Sequence, residues 1–235
     1  MSQDFWERLK EPWAGYSRRD LFRQGGLLAA AQALGGSVRQ AVAFMGLQLA
    51  LGLALLLTFN RYTVMLGVAS LLLVFTYPFM KRITYWPQAW LGLTFNWGAL
   101  MGTAAVLGRL DPAALALYAA GWFWTLGYDT IYAHQDKEDD ALIGVRSTAL
   151  LLADDSRKWI LRFYAAAFTL ILAAGFSGHA GWPFGFVMLA AGAHLLWQVK
   201  SLNIASADNC LMLFRANRVT GALIGMAFVA AAWLG

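Results

Sequence analysis

A chain of 235 residues that is 60% hydrophobic and only 13% charged is too apolar for one or two soluble domains and reads as a membrane protein. Its formal charge of +5 does not by itself point to nucleic acid, because basic residues in so apolar a chain act first as topology markers. Its single cysteine, Cys210, excludes an intramolecular disulfide.

In chain order, residues 1–36 read differently from the rest. Ser17-Arg18-Arg19-Asp20-Leu21-Phe22-Arg23 leads into a weakly apolar stretch from Gly25 to Gly36 that carries an Ala-x-Ala at 31–33. The pattern resembles a twin-arginine export signal; a basic amphipathic lead-in lying on the membrane is the other reading. From residue 37 to 235 the chain is one membrane domain. Seven apolar runs of about 20 residues, at roughly 40–59, 62–80, 87–108, 112–134, 159–177, 182–202 and 215–234, predict an all-α, polytopic transmembrane helical bundle. With the N-terminus cytoplasmic, sixteen of the 18 Lys and Arg residues fall inside and only Arg61 and Arg109 outside. That orientation places the acidic segment after the fourth run on the cytoplasmic face, and the expected location is a bacterial inner (cytoplasmic) membrane.

The segment from Tyr128 to Asp140 places five acidic residues where the fourth apolar run ends. Carboxylates at a membrane edge mark a functional site by default. Asp129, Asp136 and Asp140 are spaced by seven and four residues, which on a helix places them on one face, with Asp139 close beside Asp136. Oxygen donors converging there suit Mg²⁺; an acidic helix end facing water is the alternative. Three cytoplasmic connections then converge, bearing Lys81 and Arg82, the carboxylates, and Arg215 and Arg218. Cations facing metal-loaded carboxylates suit a diphosphate, or they anchor helix ends to lipid headgroups. Asn96, inside the third run, serves either a helix–helix hydrogen bond or a substrate contact. Tyr132 shares the acidic face, for a carboxylate, for substrate or for packing. His134, His179 and His194 lack ligand spacing and read as non-catalytic, and Asp154 and Asp155 read as helix-start residues.

Four stretches carry a family resemblance: Asp129 to Thr148, ending Gly144-Val145-Arg146-Ser147-Thr148; Tyr77-Pro78-Phe79-Met80-Lys81-Arg82; Trp86-Pro87-Gln88 through Asn96-Trp97-Gly98; and Cys210-Leu211 with Phe214-Arg215-Ala216-Asn217-Arg218. Together they resemble the UbiA superfamily of intramembrane aromatic prenyltransferases, within it most nearly the 4-hydroxybenzoate polyprenyltransferases of ubiquinone biosynthesis. The resemblance implies a helical bundle around a cavity open to lipid, and Mg²⁺-dependent transfer of a prenyl group from polyprenyl diphosphate to the ring of 4-hydroxybenzoate. It implies Asp129, Asp136, Asp139 and Asp140 as metal ligands and Asp136, Asp140 and Lys81 as catalytic residues. Tyr77, Lys81, Arg82, Asn96, Tyr132, Arg146, Arg215 and Arg218 are implied to bind substrate. The partners implied are the two substrates and the lipid bilayer, with no nucleic acid. Family members have nine spans and a first Asp-rich motif of the form NDxxD. The sequence predicts that the first two spans and that motif are missing, which implies a truncated or chimeric chain with impaired activity. A membrane transporter and a non-catalytic membrane subunit are the other functional readings.

Overall fold

The computed structural model describes residues 38–234, among which every regular element is helical and no strand occurs. The twin-arginine-like stretch lies outside these residues. The chain divides into two compact units, Met1–Phe59 and Asn60–Gly235. In the first, the described residues form α1 (Val38–Leu56), whose only charged side chain is Arg39. Its residues are almost all exposed, and a helix apolar all round suits lipid.

The second unit runs through α2 (Arg61–Ile83), α3 (Pro87–Phe95), α4 (Trp97–Leu107), α5 (Pro112–Ala133), α6 (Lys137–Leu142), α7 (Thr148–Leu152), α8 (Ser156–Ser177), α9 (Trp182–Ser201) and α10 (Ala207–Leu234). Local chemistry sets the boundaries. Asn60 Oδ1 accepts from Thr63 N at 3.0 Å and so caps α2. Asp111 Oδ1 accepts from Ala114 N at 2.7 Å and caps α5, with Pro112 at its first position. Asn96 breaks the third apolar run into α3 and α4, and Gly108 closes α4 in the left-handed region at φ 65°.

Helix α5 is the hub, packed against α3, α4, α8 and α10. Aromatic donors stitch the α3–α4 pair to its neighbours, as buried indole and phenol groups require. Trp90 Nε1 donates to Thr76 Oγ1 on α2 at 2.9 Å, and Trp97 Nε1 to Leu66 O at 3.0 Å. Across the pair, Trp122 Nε1 of α5 donates to Ala89 O at 2.8 Å and Tyr118 Oη to Leu93 O at 2.9 Å. Ile131, Ile160, Tyr164, Leu195, Val199 and Leu213 fill the core between α5, α8, α9 and α10.

Among the described residues, six helical stretches are long and apolar enough to cross a membrane: α1, α2, α3 with α4, α7 with α8, α9 and α10. The seventh expected span, α5, has the length, since its 22 residues reach about 33 Å at the helical rise. Tyr118, Trp122, Trp124, Tyr128, Asp129 and Tyr132 dilute its apolarity, and neighbouring helices surround it, so it does not have to satisfy lipid on every side. The last helix also begins at Ala207 rather than near 215, because hydropathy does not register a helix that starts with Asp208 and Asn209 before the apolar run.

Candidate active site at the end of α5

The acids do not lie on one helix. Helix α5 stops at Ala133, the chain turns through His134, Gln135 and Asp136, and α6 starts at Lys137. Three-residue bonds tighten the stop: His134 N donates to Ile131 O at 3.2 Å and Gln135 N to Tyr132 O at 2.9 Å. Buried His134 holds the turn against α8, its Nε2 lying 2.8 Å from Ser156 Oγ. The shared face expected from the spacing of Asp129, Asp136 and Asp140 is therefore not formed, because that inference needs an unbroken helix.

What brings the acids into one field is a cation from another helix. Half-buried Lys81, in the last turn of α2, lies within electrostatic reach of both Asp129 and Asp140, and Asp136 and Asp139 lie within reach of Asp140. Desolvation holds the Asp140 carboxyl above the usual carboxylate range, with Lys81 pulling the other way. Asp129 also acts on the half-buried Tyr77, one turn before Lys81. Among the described residues, no group of three or more His, Cys, Asp or Glu side chains is drawn closely enough together to hold a metal ion.

The loop after α6 is fastened by five hydrogen bonds. Gly144 turns it in the left-handed region at φ 72°. Val145 N donates to Asp140 O at 2.9 Å and Arg146 N to Lys81 O at 2.9 Å. Arg146 Nη1 reaches Ile83 O at 2.6 Å, with its guanidinium 5.1 Å from the Tyr85 ring centre. Buried Gln88 on α3 accepts from Thr148 N at 3.1 Å, and Thr148 Oγ1 lies 2.7 Å from Thr130 Oγ1 on α5.

The remaining expected residues are placed as follows. Arg82 is exposed. Tyr132 packs on Phe214 of α10 at 4.7 Å, and Tyr128 meets the same ring at 5.8 Å. Asn96 Nδ2 donates to Gly92 O and to Thr125 Oγ1 on α5, each at 2.8 Å, which is the helix–helix role. A Cβ on Gly121 would overlap the Asn96 amide, so the two helices meet there at glycine distance. Arg215 and Arg218 are exposed on a groove along α10 with Asp208, Met212, Val219 and Met226. Asp155 precedes α8 without a capping bond; exposed Lys158 bonds it at 2.8 Å and holds its carboxyl below the usual range.

Sequence reasoning missed a polar network behind this wall. Trp124 Nε1 donates to Asn217 Oδ1 at 2.8 Å, and Asn217 Nδ2 to Gln198 Oε1 at 3.0 Å. Tyr164 Oη donates to Gln198 Oε1 at 3.0 Å, Gln198 Nε2 to Thr220 Oγ1 at 3.0 Å, and His194 Nδ1 lies 2.8 Å from the same hydroxyl. It ties α5, α8, α9 and α10 together. The signal was present: Gln198 and Asn217 are amides inside apolar runs, as Asn96 is.

Residues 36–220 match the UbiA prenyltransferase family. A mitochondrial 4-hydroxybenzoate polyprenyltransferase of Arabidopsis thaliana is 50% identical over 186 residues, covering 79% of this chain and 46% of the relative. The Bos taurus protein of that name is 51% identical over 187 residues, covering 79% and 50%, and the Homo sapiens one 46% identical over 194, covering 82% and 52%. The chain thus spans about half the length of the curated relatives it matches. Among solved structures, the apo form of a UbiA homolog from Aeropyrum pernix K1 superposes with a TM-score of 0.71 at 22% identity, covering 96% of this chain and 80% of that one. A digeranylgeranylglyceryl phosphate synthase superposes with a TM-score of 0.66 at 17% identity, covering 83% and 70%. These two likenesses speak for the fold alone.

Proposed function

The chain belongs to the UbiA prenyltransferase family, and from that membership we propose that it serves transfer of a polyprenyl group from polyprenyl diphosphate to a ring carbon of 4-hydroxybenzoate in ubiquinone biosynthesis. The acceptor is the one in the names of its mitochondrial relatives. The reading rests on one observation: Lys81 at the end of α2 lies within electrostatic reach of both Asp129 and Asp140. Opposed charges held together at a bundle's end are what a substrate carrying a diphosphate needs.

The family implies Mg²⁺, and the donor set fits it. Mg²⁺ prefers hard oxygen ligands and commonly binds through one or two carboxylates, with substrate phosphates and water filling the remaining positions. A site without three preassembled protein ligands agrees with that habit. Asp129 and Asp140 would hold the ion, with Asp136 and Asp139 beside Asp140. When bound, it supplies positive charge to the leaving diphosphate.

The side chains do the rest. Lys81 and Arg82 bind non-bridging oxygens of the diphosphate, and the Tyr77 hydroxyl donates to the same group. The allylic C–O bond breaks and its electron pair leaves with the diphosphate. The ring carbon beside the phenolic hydroxyl forms the new C–C bond, and the proton displaced from that carbon passes to a neighbouring carboxylate. The Tyr128, Tyr132 and Phe214 rings, packed together, shield the allylic cation left by that cleavage from capture by water. Arg215 and Arg218 serve incoming diphosphates at the membrane surface. Residues 37–235 form the prenyltransferase membrane domain and 1–36 an atypical lead-in. The location is a bacterial inner membrane, and the charge bias of the connections supports an orientation with the carboxylates on the cytoplasmic side.

The test is turnover. Purified chain in lipid nanodiscs is supplied with polyprenyl diphosphate, 4-hydroxybenzoate and Mg²⁺, and prenylated product is followed by mass spectrometry. Product that disappears with a chelator and in Lys81→Ala is the expected result. Its absence from the unaltered chain, beside a full-length relative that works, refutes the proposal.

A further inference from the structure

The end of α2 that carries Lys81 is weakly held by its own helix. Pro78 lies inside the last two turns and has no N–H to give, so the carbonyl four residues back loses its partner. The final carbonyls of any helix also lack intrahelical donors. Thr84 N takes the carbonyl of Met80 at 2.9 Å. The carbonyls of Lys81 and Ile83 are both taken by one residue from elsewhere in the chain, Arg146, through its backbone N–H and its guanidinium. The Tyr85 ring lies against that guanidinium.

The strap that carries Arg146 touches the acids in the same sweep. Val145 N holds the Asp140 carbonyl, and two residues past Arg146 the Thr148 hydroxyl meets Thr130, the neighbour of Asp129. Gln88 pins the Thr148 N–H from α3. Three residues within a run of four, Val145, Arg146 and Thr148, thus tie the Asp140 and Lys81 backbones and the neighbour of Asp129 to one strap.

We propose that Arg146 is a positioning residue, which holds the Lys81-bearing end of α2 in place beside the acids by stapling the chain after α6 onto it, rather than a group that binds substrate. The functional consequence rests on the prenyl-transfer reading above; the geometric one does not. A planar guanidinium can bond a carbonyl edge-on while stacking on a ring, and a lysine ammonium cannot do both. Arg146→Lys should therefore restore only part of what Arg146→Ala removes.

The test uses the full chain in nanodiscs with two readouts. The first is the rate at which an amine-acylating reagent labels Lys81, followed by peptide mass spectrometry. Arg146→Ala should raise that rate by roughly tenfold, the equivalent of losing one charge-assisted hydrogen bond, with Arg146→Lys in between. Should Arg146→Ala fail to insert, Arg146→Gln, which keeps a polar side chain but loses the charge and the reach to the Ile83 carbonyl, carries the same comparison. The second readout is a kinetic cycle of Arg146→Ala, Lys81→Ala and the double variant. If Arg146 acts through Lys81, its removal lowers kcat more than it raises KM, and costs nothing further once Lys81 is gone. Losses that multiply in the double variant, or Lys81 labelling unchanged in a folded Arg146 variant, overturn the inference. A chain that never turns over while its Lys81 labelling still responds sinks the transferase reading and leaves the positioning role standing.

Discussion

Gly127→Ala tests whether the bundle around the acids is packed as described. Gly127 faces Tyr164 across the α5–α8 contact; a Cβ there would overlap Tyr164 Cε1 and sit 2.6 Å from its Cδ1. The ring is rigid and buried, and its hydroxyl is bonded to Gln198, so it cannot swing aside freely. Alanine in a helix gains roughly 1 kcal/mol over glycine. Forcing a methyl against a fixed ring costs about 2 kcal/mol, and pulling the hydroxyl off its partners in a membrane bundle about 1 kcal/mol more. The net expectation is a loss of about 2 kcal/mol. Gly102→Ala is the control, because a Cβ there meets nothing within 4 Å; its stability should hold or rise by up to about 1 kcal/mol. Denaturant unfolding of both variants in micelles, read by tryptophan fluorescence, gives the comparison. Equal stability for the two would refute the close α5–α8 approach.

Asn217→Leu strips partners from the Trp124 indole and from Gln198. Unfolding should show a loss of about 1–2 kcal/mol, and turnover should fall because Phe214, one turn earlier on α10, loses its register against Tyr132. Gly144→Ala meets no neighbour, yet φ is positive there. Its cost is backbone strain of about 1 kcal/mol, visible in activity through the loop that bears Arg146 before it is visible in melting. Ser156→Ala removes the one bond of the buried His134 imidazole, whose Nδ1 has no hydrogen-bond partner among the described residues. Thermal unfolding should fall by the equivalent of about 1–2 kcal/mol.

The membrane-crossing helices were legible because an apolar run of about 20 residues has few other uses. α5 shows the limit of that rule: a helix packed among others can carry Asp129 and five Trp or Tyr side chains because lipid does not surround it. The acids were legible as a cluster, since carboxylates at a bilayer edge are rare. Their geometry was not, because periodicity assumes a helix that the His134–Asp136 turn interrupts. Lys81 as the group that joins Asp129 to Asp140 also lay within reach of the sequence, through its place in a converging connection. The Arg146 strap did not. Its bonds end on main-chain carbonyls, which every residue has, so nothing in the sequence at residues 81 and 83 marks them as the acceptors.

The most direct measurement titrates the chain with Mn²⁺, which shares the oxygen preference of Mg²⁺, and follows the ion by electron paramagnetic resonance with and without an unreactive prenyl thiodiphosphate. The account predicts tight binding only when the analogue is present, weakened by roughly tenfold or more in each of Asp129→Asn, Asp140→Asn and Lys81→Ala. Binding that ignores the analogue, or that survives all three substitutions, would contradict it.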